Sequence, residues 1–350
     1  MRCRVVQLLA GAAMAAAAGA AFPGGQSTVD GAAEKPADKP GLSTSVSLDN
    51  SGNGPDGRLR GGVRLDYRLP ASAQGDTLDL YGGYNQTDHG WRDRAWSEGG
   101  KGAMLGARYS QLLAKGEGHE SRLNFGAGIK AFRADGWQQD SEPGNDVTVH
   151  PLSLNYSGNW LFDRGEVNGS VTVLRNLAGG PRGGQEDFTR ARPGAEAGYS
   201  IVRLAASLTR QLPRDFQVRA AVNGQYTRDA LVPGEQVGVG GGAQVRGFSA
   251  RDLANDSGLT ANVELYSPQL CGTAFWQCRA LVFYDKGLIK LNREQNGELR
   301  TRSIGSVGVG VRVNISRDVD MQVDYGHVLR SSQMPQQDKN RLHVRVNLSW

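Results

Sequence analysis

Few residues of this chain are arranged for covalent chemistry. Its five histidines, at 89, 119, 150, 327 and 343, are scattered, and neither a G-x-S-x-G elbow nor an H-E-x-x-H pair occurs. Gly126-Ala127-Gly128-Ile129-Lys130-Ala131 fits the loose dinucleotide pattern but lies within an alternating strand, so it reads as a sheet glycine pattern. Cys271 and Cys278 are the only thiols once Cys3 leaves with an N-terminal leader. Their C-x6-C spacing has no histidine nearby and lacks zinc's four-ligand pattern, whereas a disulfide closing one turn is simple in an oxidising compartment. No enzyme activity, cofactor or metal is expected. The chemistry that does stand out is ion pairing by Arg246, the only guanidinium between Glu235 and Ser249. Glycines at 238, 240, 241 and 242 precede it and let the backbone fold back sharply. By composition alone the same stretch also reads as a surface linker.

The elements that must position Arg246 are strands. In residues 58–69, Leu59, Gly61, Val63, Leu65, Tyr67 and Leu69 alternate with Arg60, Arg64, Asp66 and Arg68. A period of two with charge on one parity marks a strand with one apolar and one wet face. The pattern recurs at Leu123, Phe125, Ala127, Ile129 and Ala131, lapses at Phe132 and Arg133, and returns at Leu152, Leu154, Tyr156, Trp160 and Phe162. It recurs again at Phe216, Val218, Ala220, Val222 and Tyr226, and at Val307 to Ile315. Fourteen such segments are expected: 42–50, 58–70, 77–86, 103–113, 121–132, 148–162, 166–175, 199–212, 215–228, 258–267, 279–289, 302–316, 318–329 and 340–350. Strands of about ten residues joined alternately by short and long connections describe a transmembrane antiparallel β-barrel. Lipid leaves no backbone group unpaired, so such a sheet spans only when closed. Leu259, Ala261, Val263 and Leu265 take the outward parity of their strand, which turns Asn262 and Glu264 inward. The apolar run Ala280 to Tyr284 gives no clean parity for Asp285.

The chain carries, in order, Glu235-Gln236, Val245-Arg246-Gly247-Phe248, Asp256 and Gly258, Glu264, and Phe283-Tyr284-Asp285-Lys286-Gly287. This series resembles the two-partner-secretion transporters of the haemolysin-activator type (TpsB; ShlB, FhaC, HecB) in the BamA superfamily, over residues 41–350. The resemblance implies a long extracellular loop folded into the lumen, with Arg246 paired to Asp285 on the wall. Gly287, Asp256, Gly258 and Glu264 would be supporting residues. It also implies sixteen strands, and the two missing ones would fall between 86 and 103, around Trp91 and Trp96.

Residues 1–21 read as a secretory signal peptide and 22–40 as a disordered linker. The family resembled has periplasmic POTRA modules at this place, and nineteen residues are too few for one. The last strand alternates Leu342, Val344, Val346, Leu348 and Trp350 outward, and a terminal aromatic such as Trp350 resembles an outer-membrane insertion signal. The formal charge of +5 is read as a cation-rich lumen (Arg60, Arg64, Arg68, Arg122, Lys130, Arg219) partly paired with Asp66 and Asp79, rather than as a nucleic-acid surface. The resulting expectation is a monomeric bacterial outer-membrane protein transporter. It passes a secreted TpsA-like client without nucleotide hydrolysis and is inserted into the lipid bilayer by the barrel-assembly machinery. A passive porin and a BamA-like assembly factor are the alternatives.

Overall fold

Lipid on one side of a sheet and water on the other make alternating sequences fold as two-faced strands, and that is the architecture found. The computed structural model describes residues 41–49, 60–85, 91–93, 96–98, 101–133, 146–242, 244–248, 253–272, 276–294, 298–315, 319–330 and 339–348. The leader, the linker and Trp350 lie outside these residues. The first strands are β1 (Gly41–Asp49), β2 (Arg60–Pro70), β3 (Thr77–Asn85), β4 (Trp91–Asp93), β5 (Trp96–Glu98), β6 (Lys101–Gly116) and β7 (His119–Arg133). Then come β8 (Val147–Val149), β9 (Pro151–Phe162), β10 (Gly165–Asn176), helix α1 (Gln185–Ala191), β11 (Ser200–Gln211), β12 (Gln217–Tyr226) and β13 (Val237–Val239). The remainder are β14 (Leu253–Asn255), β15 (Ser257–Tyr266), β16 (Trp276–Lys290), β17 (Thr301–Ile315), β18 (Val319–Arg330) and β19 (Asn340–Leu348).

Fourteen of these form one antiparallel wall in the order β1-β2-β3-β6-β7-β9-β10-β11-β12-β15-β16-β17-β18-β19. This matches the strand number read from the sequence. The hairpin sought around Trp91 and Trp96 exists as β4–β5, but it pairs only within itself and adds nothing to the wall. The expected strand 148–162 is broken at His150, so that β8 pairs back onto the end of β7 while β9 continues the wall. Cys278 lies inside β16 rather than in the turn before it. Among the described residues no ladder joins β1 to β19, so the expected closure is not one of the pairings they make.

Outward parity carries exposed Val63, Leu65, Leu105, Ile129, Leu154, Val173, Leu204, Val263, Val282, Val309 and Val344, an apolar belt around the wall. Each such side chain gains roughly 1.5–3 kcal/mol when removed from water, so the belt is stable in lipid and costly without it. At one end the connections are short, as at 117–118 and 163–164; at the other they are long, as at 177–199 and 227–256. Short turns belong to the periplasmic side and long loops to the outside.

The outer ends are capped by a packed cluster. Val147 and Val149 of β8, Phe188 of α1, Ala195, Ala197, Tyr199, Leu231 and Val232 enclose Leu174 and Ile201, with Phe132 against them. Phe132 breaks the strand's outward apolar pattern because it faces this cluster.

Candidate functional site

The connection between β12 and β15, residues 227–256, turns back into the interior instead of standing in solvent. Its short strands β13 and β14 pair with each other, and Val239, Val245, Phe248 and Leu253 pack on Ile289, Ile304 and Val328 of the wall. Apolar contacts bring the tip in, and a charge cluster fixes its register. Arg246 donates Nε to Asp285 Oδ2 and Nη2 to Asp285 Oδ1, both at 2.7 Å, and its backbone N–H meets Oδ2 at 3.0 Å. This bidentate fork suits a carboxylate. Nη1 reaches Glu264 Oε1 at 2.6 Å and Asp324 Oδ1 at 3.5 Å, and the guanidinium lies 3.5 Å from the centre of the Phe283 ring. Arg219 meets Glu264 at 3.4 Å, and Arg312 meets Asp324 at 2.9 Å. Arg246, Arg219 and Arg312 therefore face Asp285, Glu264 and Asp324, and formal charge cancels.

That balance lets the ions sit out of water. Asp285 is fully buried and Arg246 nearly so. Burial works against the charge on Arg246, but the Asp285 carboxylate, with Glu264 and Asp324 behind it, outweighs burial and holds the proton more firmly than water does. Removing one member leaves an uncompensated buried charge, at a cost of about 3–5 kcal/mol.

Two glycines let the tip in. Gly247 has φ +91°, a conformation that favours glycine. Gly326 on β18 lies under the tip, where a Cβ would fall 2.7 Å from Gly247 N and 2.9 Å from Arg246 C. The Gly247 N–H donates to His343 Nε2 of β19 at 3.0 Å. Gly287 and Gly258 lie beneath Val239 and Val237 of the loop.

Asp256 works at the loop's base rather than its tip. It is fully buried, takes Arg192 in two bonds of 2.5 and 3.1 Å, and accepts the N–H groups of Leu231 (2.9 Å) and Asn292 (2.7 Å). A third anchor, Glu235, meets Lys130 of β7 at 3.2 Å and Arg203 of β11 at 3.6 Å. One loop thus touches β7 and β11 at its base and β15, β16, β18 and β19 at its tip, which requires the sheet to curl around it. Arg192, Arg203, Arg312, Asp324, His343 and Gly326 were not singled out in the sequence. Inward parity on their strands was the one signal for Arg203, Arg312 and Asp324; Arg192 gave none.

Other polar residues follow the lumen pattern. Arg64 pairs with Asp66 at 2.7 Å and Arg68 with Asp79 at 2.8 Å. Cys271 and Cys278 are bonded, with Cα atoms 5.1 Å apart. Among the described residues no group of three metal-ligating side chains occurs.

A wall with an apolar exterior, a polar interior and an inward loop locked to it by charge defines a bacterial outer-membrane β-barrel protein. Residues 152–313 match the family described as haemolysin secretion/activation protein ShlB/FhaC/HecB, the same family that the loop motif resembles. No curated protein matches in sequence. Among solved structures, CdiB from Escherichia coli shares the fold with TM-score 0.63 and 17% identity, over 88% of this chain and 62% of that one. CdiB from Acinetobacter baumannii gives 0.58 and 17%, over 83% and 51%. BamA from Haemophilus ducreyi lacking POTRA domains 1–3 gives 0.60 and 14%, over 89% and 70%. The chain thus spans 62% and 51% of the two CdiB chains it resembles.

Proposed function

We propose that the protein is an outer-membrane polypeptide transporter that secretes a TpsA-like client, with loop 227–256 as the element whose position governs transport. The observation that carries this reading is the neutral six-member charge cluster around Arg246, built between a loop tip and the wall. A passive pore has no use for a buried, charge-balanced clamp inside its own passage. A transporter does, because the clamp holds one conformation until a client displaces it. No nucleotide takes part, and the client folding outside provides the drive. The protein works as a monomer, inserted by the barrel-assembly machinery.

The test is co-expression with a candidate client, a large secreted β-helical protein from the neighbouring gene, followed by assay of the medium. Arg246→Ala and Asp285→Ala should each cut secretion at least tenfold, by the roughly 3 kcal/mol that an orphaned buried ion costs, while the barrel stays inserted. The double variant should be no worse than either single one. Additive losses contradict a direct pair. A steady, ion-selective conductance unchanged by Arg246→Ala, with no client in the medium, makes the protein a porin. Loss of other outer-membrane proteins instead of the client makes it an assembly factor.

A further inference from the structure

We infer that the outer ends of β10, β12 and β16 form a binding row for the phosphorylated headgroups of outer-leaflet lipid. On β10 the exposed, lipid-facing Val171 and Val173 are followed by Arg175; on β12, Tyr226 is followed by Arg228; on β16, Leu288 is followed by Lys290. All three cations are exposed and continue the outward parity of their strands. The ladders place them side by side. Arg175 pairs with Ser200, Val202 with Tyr226, Gln225 with Gly258, and Ser257 with Lys290. Ser200 therefore comes level with Arg228, and Tyr226 with Ser257 and Lys290. The row crosses five adjacent strands, with cations two strands apart, about 10 Å at the usual spacing.

Hydrogen bonds hold two of the cations on the outer face. Arg175 Nη1 donates to Ser200 Oγ at 2.7 Å, and Arg228 Nε to Tyr226 Oη at 3.4 Å. None of the three forms an ion pair with a described residue. Of the acids nearby, Asp229 is engaged by the Ser200 N–H at 2.8 Å, and the exposed Glu196 lies farther out on the β11 side. The opposite ends of the same strands present Phe216, Leu265 and Trp276 outward, and the exposed cations there are Arg210 at the end of β11 and Arg164 and Arg214 in the turns.

Cations without counter-ions on the rim of an apolar belt need an anion that is itself anchored in the bilayer. A phosphate borne on acyl chains meets both conditions, and guanidinium forks and an ammonium suit its oxygens. Phosphate dissolved in water would have no use for the belt beneath.

The experiment takes the full chain in neutral detergent and titrates it with diphosphorylated glucosamine lipid, the same lipid after dephosphorylation, and inorganic phosphate. Each of Arg175→Gln, Arg228→Gln and Lys290→Gln should weaken binding of the phosphorylated lipid roughly fivefold, and the triple variant about 100-fold, at one membrane-surface cation each. Dephosphorylated lipid should bind wild type as weakly as the triple variant binds the intact lipid. The three side chains are exposed, so the unheated and heated gel mobilities should stay those of wild type and report a preserved fold. The proposal is overturned if the triple variant binds like wild type, if dephosphorylated lipid binds as tightly, or if inorganic phosphate competes at the lipid's own concentration.

Discussion

At the scale of single residues, the approach of backbone to backbone at Gly326 matters as much as the charges. A methyl group there meets the main chain of Arg246 and Gly247 within 3 Å, and main chain cannot rotate aside as a side-chain end can. Gly326→Ala should push the tip away from Asp285 and reproduce the secretion defect of Arg246→Ala, although every ion of the cluster is still present. Gly272→Ala, where nothing lies within 4 Å of the added carbon, should secrete normally. Equal secretion by both variants would show that the tip is not seated on β18. Arg246, Asp285 and Glu264 were legible in the sequence because their types fall in a known order, whereas Asp324 was not. Gly326, one glycine among 49, was not, because its role depends on a loop about eighty residues earlier. The pairs Arg192 with Asp256 and Lys130 with Glu235 were hidden for the same reason: separations of 64 and 105 residues leave no local pattern.

At the scale of elements, the alternating strands were legible wherever one face meets lipid and the other water. β2 and β7 show this cleanly. β16 did not, because its inward face lies under the loop and beside Tyr266, and so carries Leu281, Phe283 and Ile289 next to Asp285. Only the burial alternation, with Val282, Tyr284 and Leu288 exposed, reveals which face is which. α1 leaves no signal in the sequence, because seven residues with Phe188 as the one buried side chain give no helical stripe. The short turns also carry charge. In the turn before β12, Arg279 donates to Asp215 at 2.9 Å, and the Gln269 N–H donates to it at the same distance. The Arg279 hydrogen bond first, then that of Gln269, holds the Asp215 carboxyl below its ordinary 3.8. A depressed folded value means that this contribution is complete above about pH 4 and is lost as pH falls through the folded value. Asp215→Asn should therefore lower the barrel's unfolding temperature at pH 7 and have little effect near pH 2, as read by heat-modified gel mobility. A deficit of equal size at both pH values would contradict the pairing.

At the scale of the whole molecule, the protein is a curled wall whose interior is occupied by its own loop, anchored at the base by Glu235 and Asp256 and at the tip by Arg246. Lipid stabilises the outside through the apolar belt, and the outer cluster around Phe188 and Tyr199 packs the mouth. Under the proposed function the loop is the part that moves, since the wall's ladders run from β1 to β19 without a break. The central claim, that the loop tip is buried inside the wall by a charge lock, is tested most directly by labelling Val245→Cys in intact cells with a membrane-impermeant maleimide. Cys271 and Cys278 are bonded to each other, and Cys3→Ser in the same background removes the remaining thiol. Val245 is fully buried, so the account predicts that the new thiol is protected in the otherwise wild-type protein and becomes labelled when Asp285→Ala is added. Rapid labelling without that second substitution would contradict it.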